Sequence, residues 1–142
     1  MTRADLAGVM ALEQQNPGPW LEQQLAGELI HAHGWQWLAK APADNAIIGY
    51  VIGRTVTDEA EILKIAVAEG HRRQGVAQRL LDHALAAMRA AGVTSCFLEL
   101  RAGNFAARNL YGKNGFVASG LRKGYYSSPG EDALVMTKTF VE

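Results

Sequence analysis

The sequence predicts an α+β domain: a mixed, mostly antiparallel central sheet flanked by helices, with one parallel strand pair inside it. Two observations carry this reading. Segments of helical and strand period follow one another as two helices, three strands, a helix, a strand, a helix and two strands. The run Ile65 to Leu81, IAVAEGHRRQGVAQRLL, leads from a strand through a basic turn into a helix, and a further strand follows it. Such a strand, crossover helix and strand pair in parallel with right-handed sense, within an otherwise antiparallel sheet. A chain of 142 residues buries about two-thirds of its unfolded surface. Residues 1–142 are therefore expected to form a single domain that needs neither disulfides nor a metal to fold.

Each element has its own warrant. Thr2 can cap a first helix with Asp5 in its opening turn, and Leu6, Val9, Met10 and Leu12 keep helical spacing until Asn16-Pro17-Gly18-Pro19 breaks it. A second helix is predicted from Trp20 to His31, with Leu21, Leu25, Leu29 and Ile30 in period and Gly34 marking its end. Trp35, Trp37 and Leu38 open a strand, Pro42 to Asn45 turns the chain, and Ala46 to Thr57 is rich in β-branched and aromatic residues. After Thr57-Asp58-Glu59, Glu61 to Val67 alternates as a half-buried strand, which completes a three-stranded antiparallel meander. The helix starting near Gly75 carries Val76, Leu80, Leu81, Ala84, Leu85 and Met88 on one face, and Gly92 sits where a left-handed terminal residue belongs. Thr94 to Leu100 is the next strand. Asn104 is a natural N-cap for a short helix through Tyr111 toward Asn114, ended by Gly115. Phe116 to Ala118 and Leu134 to Thr139 supply closing strands around a Tyr125 to Gly130 loop. No repeat or low-complexity segment interrupts the order.

Composition narrows the function classes. Lys plus Arg and Asp plus Glu balance at 14 each, so no global field draws the chain to nucleic acid or to an anionic membrane, and recognition must rest on local charge. Cys96 is the single cysteine, which forbids an internal disulfide, favours a reducing compartment and suits a core position in a strand. The four histidines, His31, His33, His71 and His83, lack the spacing of a metal site. The opening MTRADLAGVMALEQ holds acidic residues, and no run of about eighteen apolar residues occurs. A soluble, unsecreted protein is expected.

The turn before the third helix carries the chemistry. The first N–H groups of a helix have no intrahelical partner, and with the positive end of the helix dipole they make a seat for anions. Arg72 and Arg73 add charge, while Gly75 and Ala77 let a diphosphate approach the backbone. The turn lacks the GK[ST] of a Walker loop and the GxGxxG of a dinucleotide fingerprint. Taken alone, it reads equally well as a solvated helix start.

Three further features join it: Glu99 in an apolar strand, Asn104 after it, and Tyr111 within LYGKNGF. With IAV, RRQGVA, LELRAGN and a closing GYYSSPGEDALVM, the chain resembles the GNAT superfamily, the Gcn5-related N-acetyltransferases, over nearly its whole length. It is most similar to the RimI-like N-terminal alanine acetyltransferases. RRQGVA fits the superfamily pattern of Arg or Gln, two residues, Gly, one residue, then Gly or Ala. The resemblance implies the GNAT fold, a parallel strand pair forming the cleft, and acetyl-CoA as donor. Ile65, Ala66 and Val67 correspond to the strand edge that pairs with the pantetheine arm. Arg72, Arg73, Gln74, Gly75, Val76, Ala77 and Gln78 correspond to the pyrophosphate seat, and Asn104 to a cofactor contact. Glu99 takes the place of the general base, Tyr111 that of the general acid, and Tyr125 and Tyr126 those of peptide-groove residues. No metal is implied.

The chemistry fits those places. An α-amine with a reference pKa near ~8 must lose a proton before it attacks a thioester. Glu99 could accept it directly or through water, and partial burial would raise a carboxylate from its reference near ~4.3 toward working pH. A CoA thiol near ~8.5 could be protonated on departure by a phenol near ~10. On the residues alone Glu99 reads rather as a strand carboxylate paired with Arg101 or a lysine, and Tyr111 also fits a packing tyrosine; the resemblance turns both toward catalysis. Oxyanion donors could come from strand N–H groups around Ile65 to Val67 where the strands splay or bulge. The resemblance thus implies direct acetyl transfer in a ternary complex to a protein N-terminus, the alanine of the eighteenth small-subunit ribosomal protein, by a cytoplasmic monomer or weak dimer without direct nucleic-acid or membrane contact. The alternatives are a small-molecule amine acceptor, or a non-catalytic acyl-CoA-binding module.

Overall fold

The computed structural model describes residues 1–15, 20–126 and 131–140, without the side chains of residues 124–126 and 131. The described residues form one six-stranded sheet in the order β1-β2-β3-β4-β6-β5. Its strands are β1 (Gly34–Lys40), β2 (Ile47–Val56), β3 (Glu59–Val67), β4 (Ser95–Arg101), β5 (Val117–Tyr126) and β6 (Glu131–Thr139). The helices are α1 (Leu6–Glu13), α2 (Glu22–Leu29), α3 (Val76–Ala90) and α4 (Phe105–Lys113). All neighbours pair antiparallel except β3 with β4, which are parallel and joined through α3. The expected mixed sheet and its single parallel pair are present.

Alternation along the strands sends apolar side chains to both faces, so the protein has two cores. On one face α3 and α4 bury Val76, Leu80, Leu81, Ala84 and Tyr111 against Val51, Ile62, Cys96 and Leu98. On the other, Leu6, Val9 and Leu12 of α1 and Leu25 of α2 cover Tyr50, Ile52 and Ala66. Gly49 allows the first contact: a Cβ there would come within 3.1 Å of Val76 Cγ1 and 3.2 Å of Leu80 Cδ1.

Three boundaries differ from the sequence reading. The second helix begins at Glu22, not Trp20, because the Trp20 N–H donates to Glu13 at 2.7 Å and the Leu21 N–H is capped by Gln24 at 2.6 Å. It ends at Leu29, and Gly34, expected to close it, opens β1. The closing hairpin is longer on both arms: pairing runs through Leu121↔Leu134 and Arg122↔Ala133 to Tyr126↔Glu131, so Tyr125 and Tyr126 belong to β5 and not to a loop. The breaker Asn16 to Pro19 and the loop tip 127–130 lie outside the described residues.

Candidate active site

The turn at residues 72–75 has the geometry of an anion seat. Both Arg73 (φ 63) and Gly75 (φ 81) are left-handed, which folds successive N–H groups toward one side. Only Gly adopts this at no steric cost, so Arg73 is a strained position. The first intrahelical bond runs from the Arg79 N–H to the Gly75 carbonyl at 3.0 Å, which leaves the N–H groups of Val76, Ala77 and Gln78 facing out of the helix end. No acidic residue stands in this first turn to neutralise it. A Cβ on Gly75 would meet nothing within 4 Å, so the space over the seat is open. Arg72, Arg73 and Gln74 are exposed around it, and Arg72 Nε donates to the Val67 carbonyl at 3.3 Å, tying the turn to the end of β3. The Gln78 side chain, expected at the pyrophosphate, is turned to Asp82 and Asn114 instead, so only its backbone N–H belongs to the seat.

Between β3 and β4 the sheet opens. Parallel pairing covers Glu59↔Ser95 to Ile62↔Leu98 and stops, whereas β3 goes on pairing with β2 as far as Val67. The opening coincides with a bulge, since Ile52 pairs with Lys64 and the next residue, Gly53, with Ile62. Leu63 and Lys64 therefore point to the same face, Leu63 into the α1/α2 core and Lys64 to Glu13. The bulge breaks the alternation expected over Glu61 to Val67, an irregularity the sequence pattern does not announce. The edge of β3 at Ile65, Ala66 and Val67 thus faces the cleft without a β4 partner, the disposition a pantetheine amide needs.

Glu99 is the first β4 residue beyond the last parallel pair. Its neighbours Leu98 and Leu100 point into the α3/α4 core, so Glu99 lies on the opposite face. It is not isolated in apolar surroundings: its side chain is 23% exposed and accepts from Arg122 of β5 at 2.7 Å. The expected alternative, a paired strand carboxylate, is right about pairing and wrong about the partner. On the same face, two residues before the bulge's Leu63, Glu61 has its carboxyl pushed up by burial and then by the nearby Glu99 charge.

Tyr111 sits in α4 on the α3/α4 side, its ring edge-on to Phe116 at 5.5 Å between centroids. Its packing role is thus evident. Yet the hydroxyl has no hydrogen-bond partner among the described residues. Burial, followed by the neighbouring Cys96, drives its pKa well above the usual phenol value, so the group stays protonated and yields its proton less readily than the free phenol of the sequence reading. Burial likewise pushes the Cys96 thiol up to about 12, which leaves it an inert core residue. Asn104 caps α4, its Oδ1 accepting from the Ala107 N–H at 3.1 Å. Trp35 and Trp37 pack against the α3/α4 core, with Trp37 edge-on to His83. Among the described residues no three His, Cys, Asp or Glu side chains converge as metal ligands, and no helix is long and apolar enough to cross a membrane.

The seat, the open strand edge and Glu99 thus come from successive elements around the end of the parallel pairing, while Tyr111 is packed in the core on the α3/α4 side. The sequence missed Arg122 and Asn114; the first is brought to Glu99 only by the β4-β6-β5 register, the second carries no signal beyond its place in LYGKNGF.

The model of the acetyltransferase (GNAT) family matches residues 7–116. A [ribosomal protein bS18]-alanine N-acetyltransferase from Salmonella typhimurium is 33% identical over 140 residues, covering 96% of this chain and 92% of the relative. The crystal structure of the ribosomal-protein-S18-alanine N-acetyltransferase from Escherichia coli superposes with a TM-score of 0.92 at 30% identity, over 100% of this chain and 92% of the other. Ard1 from Thermoplasma volcanium gives 0.87 at 26% identity, over 100% and 95%.

Proposed function

This chain belongs to the GNAT acetyltransferase family, and from that premise we propose that it acetylates the N-terminal amine of a protein, with the alanine of ribosomal protein bS18 as acceptor. The family's donor is acetyl-CoA, and residues 1–142 act as one catalytic domain in the cytoplasm. The observation that carries the reading is the open strand pair, with Glu99 on one face and the free Tyr111 hydroxyl on the other. The choice of acceptor is supported by relatives of near-equal length at 33% identity.

The diphosphate of the donor would rest on the N–H groups of Val76, Ala77 and Gln78, with Arg72, Arg73 and Gln74 screening its charge. Its pantetheine amides would pair with Ile65 to Val67 and its arm pass Asn104. The β3 edge at the bulge supplies N–H groups for the oxyanion. Glu99 takes the proton of the attacking ammonium, directly or through water, and Glu61 beside it favours approach of a cation. As the tetrahedral intermediate collapses, the C–S bond breaks and Tyr111 gives its proton to the departing thiolate. Cys96 is buried with its thiol protonated, which supports direct attack over an acyl-enzyme. Tyr125 and Tyr126, on β5, would border the peptide.

Mass spectrometry of a panel of peptides differing in the first residue, incubated with acetyl-CoA beside polyamines and aminoglycosides, tests this. Acetylation of the alanine peptides at the α-amine is expected. Acetylation confined to the small amines would overturn the acceptor, and donor binding with no product at all would overturn catalysis.

A further inference from the structure

On the face of the sheet that they cover, α3 and α4 are joined by two amides. Gln78 Nε2 donates to Asn114 Oδ1 at 2.8 Å, and Asn114 Nδ2 donates to Gln78 Oε1 at 2.9 Å. The second N–H of each is also used: Gln78 on Asp82 at 2.7 Å, Asn114 on the Leu110 carbonyl at 2.7 Å. Both N–H groups of each amide are thereby used, and two antiparallel bonds fix separation and twist together where one bond would leave a pivot. What they connect matters for the reaction. Gln78 is the third residue of α3, whose N–H belongs to the anion seat, and Asn114 is the C-cap of α4, whose own N–H bonds the Tyr111 carbonyl at 3.0 Å.

We propose that the Gln78–Asn114 pair is a positioning clasp that sets the Tyr111 phenol at a fixed distance from the helix end that grips the donor's diphosphate. The inference rests on the reading of Tyr111 as the acid that protonates the leaving thiolate. The thioester sulfur is placed by the diphosphate at one end of its arm, and the phenol by α4. Nothing on Tyr111 itself corrects an error between the two, since its hydroxyl has no partner among the described residues. Misplacement of the acid would slow the chemical step while leaving the seat intact.

The test is a double-mutant cycle on the full chain, with kcat for an N-terminal alanine peptide, the Kd of CoA by calorimetry and thermal melting as readouts. Asn114→Ala is expected to lower kcat by roughly tenfold with Kd within about twofold. In a Tyr111→Phe background it should add less than about twofold, because there is no acid left to misplace. The exchanged pair, Gln78→Asn with Asn114→Gln, should recover most of the rate. If Asn114→Ala fails to melt cooperatively, Gln78→Met, which leaves the Asn114–Leu110 bond in place, serves in its stead. A single variant that turns over like the wild type, or losses that multiply independently of Tyr111, would overturn the clasp. No transfer by the wild type would instead overturn the functional reading, and a fully active Tyr111→Phe the role of the acid on which the clasp depends.

Discussion

Glu99 stands where β3 and β4 part and Tyr111 lies on the opposite face of the sheet, and each can be tested singly. Replacing Glu99 by Gln should depress kcat/KM most below about pH 8, where the α-amine is mostly ammonium, and least at high pH where solvent has already removed the proton. A pH-rate profile parallel to the wild type would argue that another group takes it. Tyr111→Phe should lower kcat by about 10–100-fold with little change in CoA affinity, read from initial rates and calorimetry. Both residues were legible in the sequence, one as a carboxylate in an apolar strand, the other from LYGKNGF. Arg122 was not, because its contact with Glu99 passes through the register of three strands, and nothing local to GLRKG announces it.

Among elements, the start of α3 was the most readable and the closing hairpin the least. Glycine, two arginines and a clean amphipathic period mark α3, and the structure adds that Arg73 as well as Gly75 is left-handed and that the Gln78 side chain turns away to Asp82 and Asn114. Gly75→Ala should cost about 1–2 kcal/mol in stability from the left-handed backbone alone. Because that conformation aims the N–H groups, calorimetry should also show weaker CoA binding, whereas an unchanged Kd would detach the seat from the diphosphate. The arms of β5 and β6 were hidden for a different reason. Val117 and Leu121 are exposed and the alanine, serine and glycine between them lack strand propensity, so tertiary pairing on an edge makes a strand that composition does not predict. The bulge at Leu63 was equally silent, since it changes pairing without changing the residue pattern.

At the scale of the whole molecule, one buried carboxylate joins the layers. Glu13, with no exposed side chain at the end of α1, receives bonds from Lys64 of β3 at 2.7 Å, the Trp20 N–H leading into α2 at 2.7 Å, and the Tyr50 hydroxyl of β2. Burial would raise its pKa, but these bonds outweigh it and hold the carboxyl below the ordinary glutamate value. Its contribution to stability is therefore complete above that pH and lost as the pH falls through the lowered value. Glu13→Leu, which strands the Lys64 charge, should cost about 3–5 kcal/mol and flatten the acid limb of the stability curve. A melting temperature within a degree or two of the wild type would refute this. Since Lys64 adjoins the bulge, the same bond also anchors the strand where the sheet opens, and the cleft is in this sense a property of the entire fold.

The most direct measurement of the central claim is a rapid-quench experiment with acetyl-CoA labelled in its acetyl group, with and without a peptide beginning in alanine. Direct attack in the open strand pair predicts label on the peptide α-amine and none on the protein under either condition. Label retained by the protein, or a peptide that stays unlabelled while donor is bound, would contradict it.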